Sequence, residues 1–382
     1  MASFPWRSVR WTNTAFLVST LLLAVTAAPL YLWRFGLDWF QGGMFLFFFV
    51  ATGLSVTLGY HRLFAHRSFQ ARWPVRLATL LFGAAAFENS VLWWAADHRR
   101  HHKFVDQEDD PYDISKGFFH AHIGWILFRL QEDSSLETVR DLQQDRLAAW
   151  QHRYYLPIAI IVGFALPTLL GGLWGGWVGA LGGFLIPGVA RVVFVQHMTF
   201  FINSFCHMLG RQPYSSRCTA RDSAIMALFT FGEGYHNFHH EFPHDYRNGV
   251  KAWQFDPTKW LIWVLSKLGL AGQLRRVSAE TIILAQIAEQ QRCLAARFEA
   301  RAVPQSEPIH HILRTAQERL LQAKVNWEKR KAEYRIAAGQ KMEASREKLA
   351  KLRREMHEAT ERLRAAIREW EQAHQLALAQ FA

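Results

Sequence analysis

Four stretches of this chain are apolar for the roughly 20 residues that a bilayer crossing requires. They run from Thr14 to Trp33, from Gly42 to Tyr60, within Tyr155–Gly172 and within Trp174–Val195. Two short turns, Arg34–Gln41 and Gly171–Gly176, join them in pairs, with Arg34 the one cation in either turn. Arg7 and Arg10, the segment His61–Arg153 and the chain after His197 are rich in Arg and Lys. The positive-inside rule then places both termini and the polar segments in the cytoplasm. The first apolar run is too long for a simple signal peptide and lacks a small-residue cleavage pattern, so it reads as a retained membrane helix.

A fifth apolar run, Val75–Trp94, contains Glu88 and Asn89. The charge pattern makes it a helix lying in the interface or packed on the cytoplasmic part, not a span. From about Ser278 the chain becomes rich in Ala, Glu, Lys, Arg and Gln, with breaks at Pro304 and Pro308. Leu313, Leu320, Trp327 and Tyr334 recur every seven residues. Leu349, Met356, Leu363 and Trp370 do so again after a phase shift. This predicts a helical tail over 278–382, a coiled coil with a stutter that self-associates or folds as an antiparallel hairpin. The expected architecture is all-α: a membrane unit over 1–277 with four transmembrane helices under a cytoplasmic helical cap, then the tail.

Composition narrows the chemistry. Half of the 382 residues are hydrophobic, with 29 Phe and 16 Trp, and the net charge is +12. No basic recognition motif points to nucleic acid, so anionic lipid headgroups or an acidic partner fit the charge. Cys206, Cys218 and Cys293 show no CxxC spacing, which argues against a disulfide framework or an iron–sulfur cluster.

Eight of the 18 histidines fall in three clusters: His61 and His66, then His98, His101 and His102, then His236, His239 and His240. Neutral imidazole is the commonest metal ligand, and this many can fill two coordination shells. Positions i, i+3 and i+4 share a helix face, so each HxxHH triad can reach a common centre. His61 and His66 point about 140° apart on an ideal helix, so they serve different metals or straddle the helix end after Tyr60. The scattered His120, His152, His197, His244, His310, His311, His357 and His374 read as ordinary surface or core groups. Cysteine and carboxylate ligands are scarce in the clusters, which disfavours a structural zinc site.

These residues resemble the membrane-bound fatty acid desaturases, in particular the stearoyl-CoA (Δ9) type, from about Phe16 to Val277. The resemblance rests on Trp94-Ala-Ala-Asp-His-Arg-Arg-His-His-Lys-Phe104, Asp109-Asp-Pro111, Gly117-Phe-Phe119, His122-Ile-Gly-Trp125, Asn203-Ser204, His207 and Gly232-Glu-Gly-Tyr-His-Asn-Phe-His-His240 followed by Phe242-Pro243. It implies two irons, held by the eight clustered histidines, by His207 and, through water, by Asn203. O2 is the implied co-substrate and a cis-monoene the product. Asp97, Glu233 and Asp110 are candidate acceptors that orient imidazoles. The family's substrate-bending residues map to Trp94 and Thr199, its neighbouring asparagine to Asn89, and its glutamine to Glu88, a departure. Ala96 stands where animal acyl-CoA enzymes carry a phosphate-binding arginine. The implied substrate is therefore a long acyl chain on CoA, a carrier protein or a phospholipid. Electrons must come from an external ferredoxin or cytochrome b5 type donor suited to a basic face. The competing readings are a di-iron hydroxylase and a histidine-rich metal transporter.

Overall fold

A computed structural model describes residues 6–301, 307–339 and 346–379. The chain divides into two compact units, Met1–Val277 and Ser278–Ala382.

In the first unit, three helical stretches are long and apolar enough to cross a membrane: Trp11–Phe35, Trp39–Ala65 and Tyr155–His207, of 25, 27 and 53 residues. The third is broken at Gly175 and Gly176, whose backbone angles are not helical (Gly176 φ 60°). There the chain doubles back, and its two limbs touch through glycine. A Cβ on Gly171 would meet the Gly179 carbonyl oxygen at 2.2 Å, and one on Gly183 would meet that of Pro167 at 2.2 Å. Asp38 caps the second stretch by accepting from the Gln41 N–H at 2.8 Å. Far along that stretch from His61, the turns at 34–38 and 173–177 pack Phe40 on Trp174 at 4.8 Å and Trp39 against Trp174 at 5.0 Å. Exposed Trp33, Trp39 and Trp177 surround this contact, the composition of a membrane-interface aromatic belt.

The run Val75–Trp94 is not one helix. It is shared between Trp73–Ala84 and Val91–Phe104. The first spans only about 18 Å, too short to cross. Between them, Phe87 (φ 57°) and Asn89 (φ 79°) adopt left-handed backbone angles, which end the first helix. Ser90 then starts the second, its Oγ accepting from the Trp93 N–H at 3.5 Å. Asp256 caps Pro257–Lys267 through the Lys259 N–H at 2.9 Å. A two-stranded antiparallel pairing, Gln70 with Gly272 and Ala71 with Ala271, ties the segment after His66 to the chain beyond that helix.

The second unit consists of Ala279–Arg301, Glu307–Gly339 and Arg346–Leu378. The two heptad series lie on the last two helices, and these run antiparallel: Arg319 pairs with Glu369 at 3.0 Å and Arg330 with Glu355 at 2.9 Å. Trp327 donates to Thr360 between these pairs. The phase shift thus falls between two helices instead of inside one; residues 340–345 lie outside the described residues. So does Pro304, whereas Pro308 sits in the first turn of its helix, where its missing N–H costs nothing. Leu320, Trp327, Leu363 and Trp370 form the core, with Ile287 of the first helix.

Leu363 is fully buried. Leu363→Ala is expected to cost about 2–5 kcal/mol of tail stability. Hydrogen–deuterium exchange should speed up across 346–378 while exchange across 236–241 is unchanged.

Candidate metal centre

Nine imidazoles converge in two groups. His61, His66, His98, His102 and His239 form one, and His101, His207, His236 and His240 the other; within each group the ligand atoms lie within 4.8 Å of one another. The contacts are nitrogen to nitrogen. In the first group Nε2 atoms face each other at 3.0 Å (His61–His239), 2.7 Å (His66–His98) and 2.9 Å (His102–His239). In the second the spacings are 3.2 Å (His101–His240), 3.2 Å (His207–His236) and 3.1 Å (His236–His240).

The grouping differs from the sequence expectation, for helical reasons. Neither HxxHH triad serves one centre. On a helix the i and i+4 positions are about 40° apart, whereas i+3 lies about 100° from i+4. So His98 and His102 enter the first group and His101 the second, while His236 and His240 enter the second and His239 the first. His61 and His66, expected to serve different metals or to straddle a helix end, share the first group, with His66 just past the end of its helix. Ser55–Ala65 is a π-helix, in which i and i+5 stack, and the His66 N–H donates to the His61 carbonyl at 3.0 Å.

Three Nδ1 atoms have outer partners, whereas that of His236 is buried without one. His61 Nδ1 lies 2.8 Å from Glu233 Oε2, and His101 Nδ1 lies 2.9 Å from Asp110 Oδ1. His207 Nδ1 lies 2.8 Å from the Thr219 hydroxyl, which donates to Asp106 at 2.6 Å. A carboxylate at Nδ1 holds the proton there and leaves the Nε2 lone pair facing inward. Burial, with the crowding of other imidazoles, lowers His98, His102, His236, His239 and His240 well below their ordinary pKa. The rings are therefore neutral, as ligands must be. Burial alone would raise Glu233, but the Arg62 guanidinium 2.9 Å away holds it below the usual range. Burial opposes Asp110 too, and His101 and the N–H groups of Asp106 and Tyr112 keep it low.

The donor set fits a cation. Two nitrogens at right angles on an ion with bonds near 2.1 Å lie about 3.0 Å apart, within the observed range. All-imidazole coordination suits a first-row transition metal rather than calcium or magnesium.

Arg62 was not visible as a site residue from spacing. It is fully buried. It pairs with Glu233 at 2.9 Å and Asp256 at 3.0 Å, and donates to the Tyr246 carbonyl at 2.9 Å. A lone arginine at the end of an apolar run was the available signal. Asp97, expected to orient an imidazole, faces elsewhere, beside Ser134 and Arg10. Burial pushes it up to about 6, against those two neighbours.

Asp97 belongs to a cavity of about 770 Å³ that also touches His61, His98, His101 and His236. Its lining includes the polar Arg10, Arg100 and Gln131 and the apolar Leu156, Ile160 and Phe164. Glu88, Asn89, Trp94, Thr199 and Asn203 all line it. Trp94 stacks on His98 at 4.9 Å. Arg10, Trp125 and Gln131 line the cavity, and their Nε, Nε1 and Oε1 atoms are buried without a protein partner. Among the remaining histidines, His122 and His197 pair with each other at 3.0 Å, and His244 meets the His66 carbonyl. His152 meets Ser90, and the side chain of His310 lies outside the described residues.

The family model described as Fatty acid desaturase matches residues 37–268. The chain belongs to the fatty acid desaturase family. Acyl-CoA desaturase 1 of Saccharomyces cerevisiae is 39% identical over 295 residues, covering 75% of this chain and 57% of the yeast protein. Human stearoyl-CoA desaturase is 34% identical over 288 residues, 73% of this chain and 77% of its own length. The chain thus spans little more than half of the yeast relative. The matched segment ends before the helical tail, so both nitrogen clusters lie inside the family's region.

Purified protein is expected to carry two equivalents of metal. His98→Ala and His236→Ala should each remove about one, because they belong to different groups. Asp110→Asn should weaken metal affinity by about 10–100-fold. Elemental analysis against protein concentration checks all three.

Proposed function

We propose that this protein is an O2-dependent fatty acyl desaturase that inserts a cis double bond, at the Δ9 position, into a saturated acyl chain. The observation that carries this reading is the junction of the two nitrogen groups with a cavity whose lining combines polar and apolar side chains. An unactivated methylene offers no acid or leaving group, so the chain must be held where an oxidant forms. The overall change is saturated acyl chain + O2 + two electrons + two protons → cis-monoene + two waters. Two irons, held by the nine histidines and, through water, by Asn203, would supply O2 activation.

The protein's own task is placement. An alkyl chain cannot be read by hydrogen bonds along its length, so position must be measured from the headgroup end. Arg10, Trp125 and Gln131 offer unused polar atoms to a headgroup, while Leu156, Ile160 and Phe164 take the methyl end. Trp94 and Thr199 shape the chain between them. A long-chain acyl-CoA is the substrate favoured by the relatives' names; Ala96 keeps carrier-bound and phospholipid-bound chains in play. Electrons enter from an external ferredoxin or cytochrome b5 type donor, drawn by the basic face.

In the membrane, the broken third stretch supplies two spans, giving four in all, with both termini and the histidine groups cytoplasmic. Short, nearly uncharged turns on the opposite side support this topology. The tail serves assembly, as a coiled-coil-like hairpin that supports self-association. A hydroxylase would share this geometry and differ only in product.

Expression in a bacterium lacking aerobic desaturation, with a reductase and donor supplied, should yield a new cis-monoene in gas chromatography–mass spectrometry of membrane lipids. His101→Ala should abolish it. Hydroxy fatty acids in its place would establish the hydroxylase.

A further inference from the structure

The turn 85–90 is an irregular segment beside the cavity, held from several neighbouring elements. Phe87 and Asn89 both hold positive φ without being glycine, a cost of order 1–3 kcal/mol each. The surroundings hold the turn in place from several elements. Arg191 donates to the Ala85 carbonyl at 2.6 Å, Gln196 to that of Phe87 at 3.0 Å, and the Asn89 N–H donates to the Tyr155 hydroxyl at 3.0 Å. Tyr60 reaches the Asn89 carbonyl at 3.4 Å. What this frame presents to the cavity is the Glu88 carboxyl. Trp94 Nε1 donates to Glu88 Oε2 at 3.4 Å, Thr199 stands beside it, and Oε1 is buried with no hydrogen-bond partner.

We propose that Glu88 is a positioning residue that works as a neutral carboxylic acid, fixing the acyl chain against Trp94 and Thr199, and that its ionisation switches productive placement off. This rests on the desaturase reading. The titratable groups facing Glu88 from neighbouring elements are Tyr60 and Tyr155, phenols that are uncharged at ordinary pH. The cation closest to the turn is Arg191, and its guanidinium is occupied by the carbonyls of Ala85, Gly163 and Pro187. Among the described residues, therefore, no cation pairs with a carboxylate in this wall. Burial pushes the Glu88 carboxyl up to about 8, against the weaker opposing effects of Thr199 and Trp94. Ionised, the group would need water where methylenes must lie, because an unpaired buried charge is costly. Neutral, it leaves the wall passable to an alkyl chain and still accepts from Trp94. Glutamine preserves that acceptor and cannot ionise.

The test uses full-length, iron-loaded protein in membranes. Monoene yield and double-bond position are measured from pH 6 to 10 for the native chain, Glu88→Gln and Glu88→Leu, each scaled to its own yield at pH 7. The native yield should fall about ten-fold between pH 7 and pH 9, as one group titrates near 8. Glu88→Gln should move that fall upward by at least about one pH unit and keep the bond position, while Glu88→Leu should spread the position over neighbouring carbons. Infrared difference spectra should show a protonated carboxyl band that titrates in the same range and is missing in Glu88→Gln; this readout needs no turnover. A pH profile shared by the native chain and Glu88→Gln, or an unchanged bond position in Glu88→Leu with normal iron content, overturns the proposal. Absence of any monoene from the native chain instead sinks the desaturase reading, while the infrared band still reports on the carboxyl.

Discussion

Imidazoles gathered with their lone pairs inward depend on what holds the rings from outside. That constraint organises the first unit. A neutral imidazole has two tautomers, and the wrong one would turn an N–H toward the centre. Glu233 and Asp110 settle the choice for His61 and His101. Each acid then needs its own support. Glu233 has Arg62 and the Asn248 amide at 2.6 Å, and Asp110 has the backbone N–H groups of Asp106 and Tyr112. Arg62 in turn needs Asp256, which accepts from the N–H groups of Asn248, Gly249 and Lys259. The buried polar atoms form a chain of obligations, in which removing one charge leaves its partner stranded.

The same skeleton explains why the helices near the site are irregular. An α-helix would send His61 and His66 to opposite sides. The π-helical Ser55–Ala65 brings both into one group, their rings 4.8 Å apart, and Arg62 is buried against Glu233 and Asp256. Irregular helix is tolerated there because protein, not lipid, surrounds every residue from Ser55 to Ala65. Function and fold thus compete at this segment, and packing on Trp73–Ala84 and Val91–Phe104 decides the outcome.

How far the sequence could be read follows from this. Hydrophobic length and cation placement are summed over many residues, so the apolar stretches were legible, as was a turn within Gly171–Gly176, which the backbone narrows to Gly175 and Gly176. The histidines were legible because their number exceeds what packing requires. Their allocation was not, since it depends on tens of degrees of helical phase and on a π-helix that no local propensity announces. Arg62 and Arg10 were missed because a single arginine in a basic chain carries no pattern. Asp97 was one of three candidate acceptors for an imidazole, but it lies beside Ser134 and Arg10, since the residue before His98 faces about 100° away from it on a helix. The tail's phase shift was legible as a number but ambiguous in meaning. A stutter and a turn displace a heptad equally, and only the Arg319–Glu369 and Arg330–Glu355 pairs distinguish them.

Arg191 shows how the membrane stretch and the site are joined. It is fully buried with no carboxylate among its hydrogen-bond partners, a placement that in a bilayer ordinarily marks an ion path. Here all three of its hydrogen bonds go to carbonyls: Pro187 at 2.9 Å, Gly163 at 2.9 Å and Ala85 at 2.6 Å. Two of these belong to the π-helical segments Ile161–Ala165 and Phe184–Ala190, and the third ends the helix before the Glu88 turn. Irregular backbone frees carbonyl oxygens that hydrocarbon cannot satisfy, and one guanidinium satisfies three of them. The arginine is therefore structural. It clamps both limbs of the glycine-packed hairpin to the strained turn beside the cavity. The turn that lines the cavity is thus held by the helical stretches that pack against it.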